Sequence, residues 1–149
     1  MKTLVVYDSL YGNTKAIAQA VGDALPDEVE VLHVSNADAS GLEAYDLLVV
    51  GAPTHGARPS PDMQGFLDKI QPLALEGVKV AGFDTRMTNK LITVFGVAAP
   101  KIAKALQKKG GALVGVPEGF SVTGGEGPLK EGEVERAAVW AKELAESKT

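Results

Sequence analysis

Short apolar runs alternate along this chain with longer stretches whose apolar residues recur every three or four positions. The first run, Thr3-Leu4-Val5-Val6-Tyr7, stops at the polar Asp8 to Asn13, and five β-prone residues so bounded predict a buried strand. From Thr14 to Leu25 the alanines and Ile17, Val21 and Leu25 lie on one face of a helix. Val29 to Val34 alternates and predicts a second strand near a sheet edge, followed by a polar stretch from Ser35 to Leu42. Asp46-Leu47-Leu48-Val49-Val50-Gly51 is nearly continuous in apolar residues, as expected of a central strand buried on both faces. A loop from Ala52 to Pro61 leads to Asp62, which is expected to cap a helix bearing Met63, Phe66, Leu67 and Ile70.

Val78 to Phe83 predicts the fourth strand, and Leu91 to Gly96 a loop entering another helix. That helix has Pro100 near its start, Ile102 and Leu106 inward, Lys108 and Lys109 in its last turn and Gly110 at its end. Ala112 to Val116 begins a fifth strand, resuming from Gly119 to Val122 after Pro117. A final helix runs from Glu133 to Ala145, with Val134, Ala138, Trp140, Ala141 and Leu144 as its apolar residues. Strands separated by helices imply right-handed crossovers and an α/β fold with a doubly wound, five-stranded parallel sheet.

Composition narrows the function classes. The 149 residues suit one domain, 1–149, with 45% hydrophobic and 23% charged residues. A net charge of −4 favours neither nucleic acid nor an anionic membrane surface. No cysteine is present, so disulfides, thiolate nucleophiles and iron–sulfur ligation are excluded, and any redox role belongs to a bound cofactor. No apolar run approaches a membrane span, and the first run is too short for a signal peptide, which points to a cytoplasmic protein. His33 and His55 have no ligand spacing, so no metal is expected, and no catalytic constellation stands out.

The chemistry concentrates in three loops. The first, Ser9-Leu10-Tyr11-Gly12-Asn13-Thr14, joins a strand to a helix and carries hydroxyls, an amide and one glycine, suited to a phosphate at a helix N-terminus. It lacks the three glycines of the dinucleotide fingerprint, and no Gly-Lys pair of a Walker loop appears in the chain. The segment resembles the flavodoxin phosphate loop, with Tyr11 in place of a small hydroxyl residue. That resemblance covers essentially the whole chain and implies a short-chain form, FMN as cofactor and the flavodoxin strand order 2-1-3-4-5. In an open α/β sheet of that order the ligand lies beyond the strand ends, at the switch between strands one and three. The second loop, with Pro53, Thr54, His55 and Gly56, resembles the family's second flavin loop, which implies hydrogen bonds from Thr54 and backbone N–H groups and His55 against the ring. The third, Asp84-Thr85-Arg86 through Lys90, departs most, having no aromatic residue to shield the flavin.

Arg58, Arg86 and Lys90 sit in the second and third loops, where flavodoxins usually surround the flavin with acids. Cations facing the ring would stabilise the negative charge gained on reduction; pointing into solvent, they would not. Three readings follow. The leading one is an FMN electron carrier working between redox partner proteins, without enzymatic activity of its own. The second is an FMN-dependent reductase using NAD(P)H and a quinone, which the missing aromatic shield and the cations favour. The third is a flavodoxin-like interaction module without flavin.

Overall fold

The computed structural model describes residues 1–87 and 96–147. Five strands form the main path of one sheet: β1 (Lys2–Tyr7), β2 (Glu28–His33), β3 (Leu47–His55), β5 (Lys79–Met87) and β6 (Ala112–Leu113). β4 (Arg58–Pro59) and β7 (Glu118–Val122) complete the strand set among the described residues. The α-helices among the described residues are α1 (Asn13–Ala24), α2 (Pro61–Lys69), α3 (Ala98–Lys108) and α4 (Glu133–Glu146). The order is β2-β1-β3-β5-β6, with β7 also beside β5 and all these pairs parallel. This is the expected 2-1-3-4-5 order, its fifth strand split into β6 and β7 around Pro117.

Alternation along the central strands builds two cores. On β1, Leu4 and Val6 face one side and Val5 and Tyr7 the other; on β3, Leu48 and Val50 oppose Leu47 and Val49. The first side is covered by α2 and α3 through Met63, Phe66, Leu67, Ile102 and Leu106. The second is covered by α1 and α4 through Ile17, Val21, Trp140 and Leu144. Fully buried side chains of this size stabilise by about 1.5–3 kcal/mol each, which fixes the strand register that the site depends on. Trp140 is core, stacked edge-on with Phe83 and Phe120 and donating its Nε1–H to the carbonyl of Val116 at 3.1 Å. β2 lies at an edge and is half-buried, as its alternation predicts.

Three local expectations change. The helix α2 is N-capped at Ser60, with Pro61 in its first position, so Asp62 lies within the first turn instead of capping it. The segment from Ala52 onward continues β3 to His55, turns at Gly56-Ala57 and returns as β4. Asp84 to Met87, read as loop, extends β5, because Phe83 to Met87 pair with Glu118 to Val122 of β7. The expected loop at 91–96 falls, but for Gly96, outside the described residues, as do Thr88, Asn89 and Lys90.

Candidate functional site

The C-terminal ends of β1, β3 and β5 open into one cleft of about 210 Å³. Ser9, Leu10, Tyr11, Asn13 and Thr14 line it from the β1–α1 loop, Pro53, Thr54 and His55 from β3, and Thr85 and Arg86 from β5. Of the residues expected there, Gly12 shapes the first loop, Gly56 sits in the hairpin turn beside a neighbouring hollow, and Asp84 is fully buried beneath Arg86. Met87, Val122 and Gly125 complete the lining. The last two come from β7 and the loop after it, distant in sequence from the motifs.

Gly12 turns the chain into α1 with φ of +90°, a left-handed conformation that a side chain disfavours. Its N–H donates to Ser9 Oγ at 3.0 Å, which folds the loop back on itself. The first intrahelical bond is Ala16 N–H to the Gly12 carbonyl. The N–H groups of Asn13, Thr14 and Lys15 therefore find no acceptor among the described residues, and the positive end of the helix lies open. Thr14 is buried and its Oγ1 is 2.8 Å from Thr85 Oγ1, tying this helix start to β5. Asn13 donates from Nδ2 to the Glu126 carbonyl at 3.1 Å, which brings the loop before α4 against the first loop. Such a pocket of neutral donors fits an anion of the size of a phosphate.

Beside the loop, Asp8 gathers three donors: Ser9 N–H at 2.9 Å, Ser60 Oγ at 2.5 Å and His33 Nε2 at 3.2 Å. His33 Nδ1 accepts from Ser35 N–H at 3.1 Å, so the ring proton sits on Nε2 and faces Asp8. His33 thus supports the loop from behind. No cluster of metal-ligating side chains occurs among the described residues.

The second and third segments meet at the start of α3. That helix has no side-chain cap of its own. Instead Thr54 Oγ1 accepts from Ala98 N–H at 3.0 Å and Asp84 Oδ2 accepts from Ala99 N–H at 2.7 Å. Arg86 grips the same carboxylate with two bonds, Nε to Oδ1 at 2.7 Å and Nη2 to Oδ2 at 2.9 Å. Arg86 is therefore neither a lone cation against the cleft nor a side chain released to solvent. His55 is exposed at the cleft mouth, and Leu10 and Tyr11 form an exposed rim.

A family model described as Flavodoxin domain matches residues 4–131. The chain is 31% identical over 86 residues to a probable flavodoxin 1 of Bacillus subtilis, covering 55% of this chain and 54% of that protein. It thus spans about half the length of that relative. A flavodoxin of Maridesulfovibrio salexigens is 29% identical over 121 residues, covering 76% of this chain and 82% of its own. Among solved structures, oxidised flavodoxin 1 from Bacillus cereus superposes with a TM-score of 0.83 at 25% identity, covering 100% of both chains.

Proposed function

The chain belongs to the flavodoxin family, and on that premise we propose that residues 1–149 form one FMN-binding domain that passes electrons between redox partner proteins. The observation that carries the reading is the open start of α1, where three N–H groups have no acceptors among the described residues and Ser9, Tyr11, Asn13 and Thr14 line the same cleft. These would hold the FMN phosphate without a paired cation, since hydrogen bonds to an anion contribute about 1.5–3 kcal/mol each. Pro53, Thr54 and His55 would flank the ring on one side and Thr85 and Arg86 on another. Bound FMN supplies the redox chemistry for which a chain without cysteine has no group of its own.

The residues of the chain orient the ligand. Thr54, whose oxygen already accepts from Ala98, keeps its hydroxyl proton to donate toward the cleft. The carrier reading is preferred to the reductase because Arg86, one of the cations on which the latter leaned, is balanced by Asp84. No described helix is long and apolar enough to cross a membrane.

Titration of the purified protein with FMN and with riboflavin tests the reading. Thr14→Ala, which removes a hydroxyl at the phosphate loop, should weaken FMN binding roughly tenfold or more, with riboflavin little changed. Thr14→Ser should restore it. Equal losses for both ligands would move the phosphate away from this loop.

A further inference from the structure

The Arg86 guanidinium is held on two sides. Asp84, with 0% exposure of its side chain, takes Nε and Nη2 in a two-point fork. Gly119 of β7 lies against its flat face: a Cβ at that glycine would fall 2.0 Å from Cζ and 2.1 Å from Nη2. The strand register explains the meeting, since Gly119 pairs with Asp84 and Ser121 with Arg86, and residues two apart on β5 share one face. Asp84 is itself fixed by the Ala99 N–H at the start of α3. Nη1 is the guanidinium nitrogen with no acceptor among the described residues, and Arg86 is one of the side chains lining the cleft. A long side chain ordinarily loses much rotamer freedom when it makes a contact; here that cost is met by the fold before any ligand arrives.

We propose that Asp84 and Gly119 are positioning residues that make Arg86 a fixed, charge-compensated hydrogen-bond donor to an acceptor edge of the flavin ring. The inference rests on the flavin reading above. Its content is that Arg86 acts through orientation: the fork aims one donor, and the neutral Asp84–Arg86 pair leaves little net charge near the ring. A lysine could keep the charge but not the fork, because an ammonium is a point donor on a flexible stem.

Gly119 does not line the cleft, so Gly119→Ala reaches a ligand only by displacing Arg86. Kd for FMN and for riboflavin should both rise roughly tenfold, as when one charge-assisted hydrogen bond is lost, with a shift of the bound-flavin absorption bands. In an Arg86→Gln background the same Gly119→Ala change should have no further effect on either readout. Arg86→Lys should match Gly119→Ala in direction and serves where the alanine variant folds poorly. Additive losses in the double variant, or tight binding retained in Arg86→Lys, would overturn the proposal.

The lock itself is checked without ligand. In the cofactor-free protein the Arg86 Nε–H should give a slowly exchanging nuclear magnetic resonance signal that Gly119→Ala abolishes. A rapidly exchanging wild-type signal would overturn the positioning role. A protected signal in a protein that binds neither FMN nor riboflavin would overturn the flavin reading, and with it the assignment of a ligand to Arg86, while leaving the lock standing.

Discussion

Ala57 holds a backbone conformation that its side chain disfavours. Gly56 and Ala57 have φ of +53° and +68°, so the His55–Arg58 turn is of the type I′ kind that matches strand twist in a two-residue hairpin. Glycine is at ease there, whereas alanine in the left-handed region costs about 1–2 kcal/mol. Lys101 Nζ reaches across from α3 to the Ala57 carbonyl and helps to hold the turn. Ala57→Gly removes the steric cost but adds freedom to the unfolded chain, so the net gain should be about 0.5–1 kcal/mol. For a domain of this size the thermal midpoint should rise by roughly 1–4 °C. An unchanged or lower midpoint would mean that this turn is not left-handed at Ala57 in solution.

At the scale of elements, the site is held by the start of α3. The helix lacks its own cap and borrows one oxygen from β3 and another from β5, so two neighbouring strand ends and a helix N-terminus become one unit. Thr54→Val keeps the shape but removes the acceptor for the Ala98 N–H, and should cost about 1 kcal/mol, as lost helix caps do. Thr54→Ser should recover it, and urea unfolding of the three proteins measures the difference. A valine variant as stable as wild type would show that water caps Ala98 equally well.

The strands and most helices are legible in the sequence because hydrophobic periodicity is local: the runs at Leu4–Tyr7, Leu47–Val50 and Val80–Phe83 declare themselves without their partners. The β3–β4 hairpin is not, since Pro53 and Pro59 argue against a strand and only the pairing of Thr54 with Pro59 makes it one. The site loops are legible as a set by resemblance. What fixes the Asp84–Arg86 pair is not, because Gly119 reaches it through the sheet order and Ala99 through the start of α3. The link between Asp8 and Ser60 is hidden for the same reason: a hydroxyl at a helix start and an acid at a strand end meet across 52 positions of sequence.

At the scale of the whole molecule, the last helix closes the fold onto the strand that backs the site. Glu133, in the first turn of α4, accepts from the Ser121 N–H at 2.6 Å and from Arg136 at 2.8 Å. Arg136 in turn donates to Glu118 at 2.7 Å and to the Gly119 carbonyl, and lies over the Phe120 ring at 4.5 Å. This clamp spans β7 from Glu118 to Ser121, the stretch whose Gly119 backs Arg86. The Arg136 bond, more than any other influence, holds the Glu133 carboxyl below its usual value of 4.5; the Ser121 N–H adds to this and burial opposes it. A carboxyl depressed on folding contributes stability that is complete above the unfolded value and fades as pH falls through the folded one. Glu133→Gln should therefore be less stable than wild type at neutral pH, by roughly 1 kcal/mol given that Arg136 is 40% exposed. Below the depressed value the two proteins should converge, because a protonated Glu133 and a glutamine interact alike with Arg136. Denaturant unfolding of both proteins from pH 7 down through the acid range measures that difference. A stability gap that persists unchanged into strong acid would show that Glu133 acts through packing and not through its charge.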